Sequence, residues 1–419
     1  MSAESAIKAR LTEACASLEV PGVVSVANAG GRFIHTECET RNFSIRRSLR
    51  SQLTKARRNP GCLETRLNIL PRVSYKVVDS YLGFAMCRAS QLDLGEAVTH
   101  WLPELGTLEI FTGFDDKGKP ILAKAVNKIT LRHLLTHTSG LAYESFNPLL
   151  QQWRQWTGIP LPSKKLPVVE FFKVPLLFEP GSSYVYSTGY DFAGVMVARA
   201  NSMTLNAYME KHIFQPLGLR NLTLDLDSQP DMLARQVDLS MRTGGTHPVF
   251  RTAIDSSAPL TYIPRMNLGD SLEDASGGGG GSGSLLDYSQ ILKSLAADDG
   301  KLLASEMLDE LFRPQLKDAA LAKFKEFLSI KEMNNIMAGM GVGVDANHAL
   351  GGAIVLEDVP GGRRKGTMTW AGLPNIYWWV DRVAGISGVF GTQILPFGDE
   401  KCIELFREFE NFVYAVRKV

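Results

Sequence analysis

The chain has 419 residues, with 45 lysines and arginines against 44 aspartates and glutamates, a net charge of +1 and an isoelectric point near 7.6. Such a balance excludes binding driven by bulk charge to nucleic acid or to an anionic membrane surface. With 45% hydrophobic and 21% charged residues it reads as a soluble globular protein, long enough for one large core or two moderate ones.

The opening residues carry Glu4, Lys8, Arg10, Glu13 and Glu19 in an amphipathic pattern that predicts a helix over 3–19. That segment lacks the apolar centre of a signal peptide, and no apolar run reaches the roughly 18 residues of a membrane span, so the expected location is cytoplasmic. Pro21-Gly22 ends the helix, and residues 23–34 read as strand, Gly30-Gly31 turn, strand. The texture then changes. Arginines stand at 41, 46, 47, 50, 57, 58, 66 and 72, with Lys55, against the single acid Glu64, and neither helical nor strand periodicity persists. The ordinary reading of such a run is a solvated basic loop.

Regular patterning returns at Leu92-Asp93-Leu94 and continues through a short helix and turn to Leu105. Ile129–Leu135 predicts an amphipathic helix with Thr130 as its N-cap, broken at Thr138-Ser139-Gly140. Aromatic and proline residues over 145–175 predict an irregular helical lobe. Helices follow at 190–200 and about 204–214, the second stopped by Pro216 and Gly218. Residues 225–270 read as short strands, the glycine run 276–284 as a flexible linker, and 285–312 as helix again. From 339 to 397 glycines alternate with β-branched and aromatic residues as in an antiparallel sheet, and a final helix is expected over 400–416. The predicted architecture is α/β of the α+β kind. One antiparallel sheet is built from the two ends of the chain, about 1–35 and 285–419, around an inserted helical lobe at about 89–284. The whole chain, 1–419, is read as one domain, with 36–88 atypical.

Cysteines 15, 38, 62, 87 and 402 are odd in number and irregularly spaced, which gives neither a disulfide framework nor a zinc site. His133 and His137 sit four apart, but Leu134 occupies the position where a zinc-protease helix carries glutamate, and no third ligand cluster appears. No metal is expected. Two further patches carry chemistry. In FEPGSSYVYSTGYDFAG (178–194), Tyr186 lies where a turn enters a helix, and a tyrosine there serves as a general base when a cation lowers its pKa from about 10. A core tyrosine is the plainer alternative. In GTMTWAGLPNIYWWVDR (366–382), Gly372 lets a substrate backbone approach, and backbone N–H groups of an edge strand build an oxyanion hole. Trp370, Tyr377, Trp378 and Trp379 fit a plain core equally well.

Order and company decide between these readings. The succession LDL at 92–94, HLLTHTSGL at 133–141, FEPGSSYVYSTGYDFAG, the glycine run into Leu285-Leu286-Asp287-Tyr288, and WAGLPNIYWWVDR resembles the β-lactamase-related serine hydrolases. It is most similar to class C β-lactamases and family VIII esterases, and within them to the fungal transesterases. The resemblance spans 3–34 and 89–419. It implies a β-lactamase/penicillin-binding-protein-like fold and acyl transfer through an acyl-serine, from an ester or thioester donor to an alcohol. The setting it implies is secondary-metabolite (polyketide) biosynthesis. Tyr186-Ser187-Thr188 matches the family's Tyr-x-Asn motif with Thr188 for Asn. Trp370-Ala371-Gly372 matches its Lys-Thr-Gly strand with Trp for Lys, which argues against β-lactam substrates. The resemblance makes Tyr186 catalytic and Trp370, Ala371, Gly372, Tyr262 and Tyr377 substrate-binding. It calls for no cofactor, and for partners that are a small acyl donor and an alcohol, with an acyl-carrier protein or synthase as a donor partner.

The family's Ser-x-x-Lys motif belongs on a helix shortly before Leu92, where the amine takes the hydroxyl proton. The only such pair is Ser5–Lys8, in the wrong element; Ser51 and Lys55 are one residue too far apart, and Ser80 and Ser90 have no lysine partner. The stretch 36–88 therefore has three readings. A wrong reading frame or retained intron explains the arginine excess and the lost periodicity together. A genuine divergence would leave an inactive binding protein on the same fold, and an unorthodox nucleophile would make Ser51 the acyl acceptor. A simple carboxylesterase is the further enzymatic alternative.

Overall fold

The computed structural model describes residues 2–40, 75–76, 92–160, 162–242, 258–263, 272–337 and 339–417. Helix α1 (Ala3–Ala16) is capped by Ser2, whose hydroxyl accepts the Ser5 N–H. It ends before residue 19 because Leu18 turns into the left-handed region at φ +62° ahead of Pro21. Strands β1 (Gly22–Ala29) and β2 (Arg32–Thr40) form the expected hairpin, and β2 runs six residues beyond the predicted end at 34.

The remaining strands of the main sheet come from the far end of the chain: β3 (Ala346–His348), β4 (Ala353–Val355), β5 (Met368–Gly372), β6 (Ile376–Asp381) and β7 (Ile386–Gly391). The order is β3-β4-β5-β6-β7-β1-β2, every pair antiparallel, so β1 closes against β7 and joins the two ends of the chain. The Trp- and Val-rich runs of β6 and β7 are buried on both faces, which explains why they lack polar alternation.

Each face has its own helical cover. The C-terminal helix (Glu400–Val416) begins at Asp399, whose carboxylate accepts the Cys402 N–H at 3.1 Å, and lies on one face. There Tyr377 stacks on Phe406 at 4.9 Å, and Trp379 meets Phe406 and Phe409 at 5.8 and 5.7 Å. Ring pairs of this kind add about 1 kcal/mol each beyond the burial itself. Gly388 makes room for the Trp379 indole, which a Cβ there would meet at 2.1 Å. Helix Leu285–Ala297 covers the opposite face, with Leu285 against Gly391. The segment predicted helical over 285–312 is two helices, because Asp298 and Gly300 adopt φ of +47° and +69° between them.

The inserted lobe rests on that second face. It includes the short helix Leu131–Leu135, capped by Thr130 as predicted, and the helix Gly189–Ala200. The glycine run is not a linker. Ser282–Gly283 pairs with both Leu222–Thr223 and Tyr75–Lys76, and Gly280 and Gly283 sit so close to neighbouring backbone that a Cβ would be 2.5 and 2.3 Å away. Glycine serves close packing there rather than flexibility. A separate three-stranded sheet sets Leu239–Arg242 between Leu260–Ile263 and Ile394–Leu395. Arg242 pairs in the interior with Asp399 at 2.5 Å and donates to the Glu19 carbonyl at 2.6 Å, fastening that sheet to both ends of the chain. Among the described residues no helix is long and apolar enough to cross a membrane.

Candidate active site

Tyr186 is delivered by a turn and a helix start. Glu179 accepts the Val126 N–H at 2.8 Å, Gly181 turns at φ +87° against the His133 imidazole, and the chain then runs along the end of helix Leu131–Leu135. The next helix begins at Gly189, where a Cβ would lie 2.0 Å from the Leu134 carbonyl oxygen. Only glycine lets the two helices approach so closely, and the approach fixes the half-buried Tyr186 three residues earlier at the junction.

Three side chains converge on the ring. His137 lies 4.8 Å from it, Tyr143 5.5 Å and Trp370 6.1 Å, centroid to centroid. Behind Tyr143 stands a polar cluster. Its phenol donates to Asp191 Oδ2 at 2.6 Å, while Asp191 Oδ1 accepts from the Ser276 hydroxyl and from Gly278 N–H at 3.1 Å. Asp191 is buried, and burial pushes its carboxyl up, opposed by those three donors. The glycine run thus supplies part of the support for the site. A Cβ on Gly278 would lie 2.5 Å from both Asp191 Oδ2 and the Tyr143 phenol oxygen.

Trp370 presents its indole from β5 to the lobe, over His137 and at 5.1 Å from His348. The strand is interior to the sheet rather than an edge, but its pairing with β4 ends at Thr369, so Trp370, Ala371 and Gly372 run on beyond β4. That end of the strand is left without a β4 partner beside Trp370.

Other predicted site residues fall elsewhere. Tyr377 is opposite Ala371 in the β5–β6 register, so its side chain lies on the C-terminal-helix face; its hydroxyl donates to Asn375 and its ring stacks on Phe406. The period-two alternation of a strand makes Trp378, opposite Trp370, the residue that shares the lobe-side face. Tyr262 is 56% exposed on Leu260–Ile263, outside the ring cluster around Tyr186. His133 and His137 do not share a helix face, because the helix ends at Leu135; His133 Nδ1 instead accepts the Thr130 N–H at 3.2 Å. Thr188, in the motif's third position, is buried, and its hydroxyl has no hydrogen-bond partner among the described residues.

The nucleophile is not among these groups. Ser5 and Lys8 lie on α1, which packs against the C-terminal helix, and Ser5 is engaged with Ser2. Ser51, Lys55, Ser80 and Ser90, with most of the stretch 36–88, lie outside the described residues. Sequence reasoning missed Tyr143, Asp191 and Ser276. The signal for them was an aspartate inside an apolar helix turn, five residues after Tyr186, which needs buried partners.

A sheet closed by both chain ends, an inserted lobe, and a tyrosine facing a tryptophan-bearing strand end define the serine β-lactamase and penicillin-binding class of fold. The chain belongs to the beta-lactamase family, whose model matches residues 75–408. Among curated proteins it is 32% identical to monacolin J acid methylbutanoyltransferase of Aspergillus terreus, over 96% of this chain and 94% of that one. It is 33% identical to lovastatin esterase of Penicillium rubens, over 74% of this chain and 76% of that one. Among solved structures, a variant of simvastatin synthase from Aspergillus terreus superimposes with a TM-score of 0.82 at 30% identity, covering 99% of this chain and 98% of the other. A penicillin-binding protein homologue from Caulobacter crescentus, 15% identical with a TM-score of 0.61, shares the fold.

Proposed function

We propose that the protein is an acyltransferase that moves an acyl group from an ester or thioester to an alcohol through an enzyme-bound ester. The observation that carries this reading is the placement of Tyr186. It faces the Trp370–Gly372 strand end, with Tyr143 and Asp191 behind it. In the first half-reaction a serine oxygen bonds to the donor acyl carbon and the donor's C–O or C–S bond breaks. Tyr186 passes the serine proton to the leaving group. In the second, Tyr186 takes the proton of the acceptor alcohol, whose oxygen displaces the serine oxygen, and the proton returns to serine. The strand end around Gly372 would hold the oxyanion. The lysine that lowers the Tyr186 pKa in the family pattern belongs before Leu92.

Trp370 supports an apolar acyl or acceptor group rather than a carboxylate, since an indole replaces the cation that the family's β-lactam-binding members hold there. Similarity to enzymes named as methylbutanoyltransferases of monacolin J acid and of ML-236A carboxylate supports a polyketide acceptor; a donor held on an acyl-carrier protein or synthase and a cytoplasmic setting complete the proposal by family analogy alone. The relation to lovastatin esterase favours one second reading, in which water replaces the alcohol. The missing serine–lysine pair favours another, a binding protein on the same fold.

Intact-mass spectrometry after incubation with an activated short-chain ester tests the proposal. A stoichiometric acyl mass gain, mapped to one serine and lost on adding alcohol with formation of the new ester, is expected. Loss of the acyl group to water at the same rate with or without alcohol would make the protein an esterase. No mass gain from folded protein would leave the binding protein.

A further inference from the structure

We propose that His137 is a positioning residue that holds Tyr186 by gripping the backbone on both sides of it. The inference rests on the reading of Tyr186 as the acid–base group of acyl transfer. The Val185 N–H donates to the His137 carbonyl at 3.1 Å, and the Ser187 N–H donates to His137 Nδ1 at 3.1 Å. Tyr186 is the single residue between these anchors. The Ser187 hydroxyl lies 3.0 Å from the same nitrogen and accepts the Gly189 N–H at 3.2 Å, which carries the grip into the helix that follows.

The imidazole is built for acceptance at Nδ1. A backbone N–H can only donate, so the ring proton sits on Nε2. Burial and the neighbouring His348 hold the ring well below the usual histidine range, hence neutral and able to accept. His348 takes the complementary tautomer, its Nδ1 donating to the Ala349 carbonyl at 2.5 Å. The His137 ring meets Tyr186 at 4.8 Å, lies nearly parallel to Trp370 at 6.1 Å, and stands edge-on to His348 at 5.2 Å. One side chain therefore sets the spacing between the tyrosine and the tryptophan wall.

The backbone supports the same conclusion. His137 has φ +57°, a left-handed conformation uncommon outside glycine, in which asparagine, aspartate and histidine are several-fold enriched. A core histidine satisfied by a neighbour would need neither that conformation nor bonds to both residues flanking Tyr186.

The test compares His137→Asn with His137→Gln. Asparagine tolerates the left-handed backbone and sets its carbonyl near the Nδ1 position, whereas glutamine sets its carbonyl near Nε2. Ring-fluorinated tyrosine gives a fluorine NMR signal for Tyr186, identified by its loss in Tyr186→Phe. The asparagine variant should keep the wild-type Tyr186 resonance and a kcat within about threefold of wild type. The glutamine variant should shift or split the resonance and lower kcat roughly 10²-fold, with KM changed less than about threefold, as for a misplaced catalytic group. Equal behaviour of the two variants, or an unmoved resonance in the glutamine variant, overturns the proposal. Should the glutamine variant not fold, Ser187→Ala, which removes a hydroxyl that contacts Nδ1 and accepts the Gly189 N–H, must move the resonance; if it does not, the proposal fails. A wild-type protein that transfers no acyl group would refute the catalytic reading, and the fluorine spectra would still decide the role of His137.

Discussion

The role proposed for Tyr186 needs both its phenol hydroxyl and the position that the fold gives it. Replacing it by phenylalanine removes one hydroxyl from a half-buried ring whose contacts with His137, Tyr143 and Trp370 are made by ring faces and edges. We expect Tyr186→Phe to lower the rate of acyl transfer by about 10²–10⁴-fold, the usual worth of a general acid–base group. Steady-state kinetics on protein shown by a melting curve to be folded check it. Buried histidines predict a pH dependence of a different kind. His35 and His348 are both pushed down from 6.5 to about 4, chiefly by burial. Between those values the unfolded chain takes up protons that the fold refuses. Stability is therefore complete above about pH 6.5 and falls as the pH drops toward about 4. The urea midpoint should be lower at about pH 5 than at about pH 7.5, and His348→Gln should flatten the difference. An unchanged slope in that variant would remove His348 from the account.

At the scale of elements, the glycine run illustrates how one composition serves opposite ends. Ser276–Ser284 has the makeup of a linker, yet it threads between Asp191, Tyr143 and the Leu222–Thr223 strand. Gly278→Ala would push a methyl group into the Tyr143–Asp191 hydrogen bond. It should cost about 1–3 kcal/mol by overpacking and reduce transfer activity. Gly362→Ala, where a Cβ would meet only ordinary contacts at 3.8 Å or more, should stay within about 0.5 kcal/mol. Denaturant titration of both variants checks the contrast. The β5–β6 hairpin gives the complementary lesson. Trp370 and Tyr377 are both aromatic and both near Gly372, but the register assigns them to opposite faces, and only Trp370 reaches the site. Swapping the aromatic at 377 should therefore change stability more than substrate preference.

Across the whole molecule, the two chain ends and the separate three-stranded sheet are joined at Arg242 and Asp399. The pair is buried at 3% and 0% side-chain exposure, and Asp399 also caps the C-terminal helix. Removing one partner leaves an unpaired interior charge. Asp399→Ala, which also removes the cap, should cost about 3–5 kcal/mol and shift the unfolding midpoint accordingly, whereas the exposed Lys323–Glu326 pair should be worth under about 1 kcal/mol. Denaturation of Asp399→Ala beside Glu326→Ala measures the difference. Comparable losses for the two would mean that the buried pair is not what fastens the sheets.

Much of this was legible in the residues alone, and for a physical reason. Helix caps, glycine turns and the alternation of strands are local, so Thr130, the Gly30-Gly31 turn and the C-terminal helix over 400–416 could be read in place. Tyr186 and Trp370 became candidates only through the order and company of the motifs that carry the family resemblance, since each alone fits a plain core. What only the tertiary structure decided was convergence. Tyr143, Asp191, Ser276, His137 and His348 come from separate segments, and each taken alone is an ordinary core or loop residue. Their meaning depends on distances between parts of the chain that no local pattern records. The same holds for the order β3-β4-β5-β6-β7-β1-β2 and for the faces it assigns to Trp370 and Tyr377, since a strand's alternation gives two faces but not which of them meets the lobe.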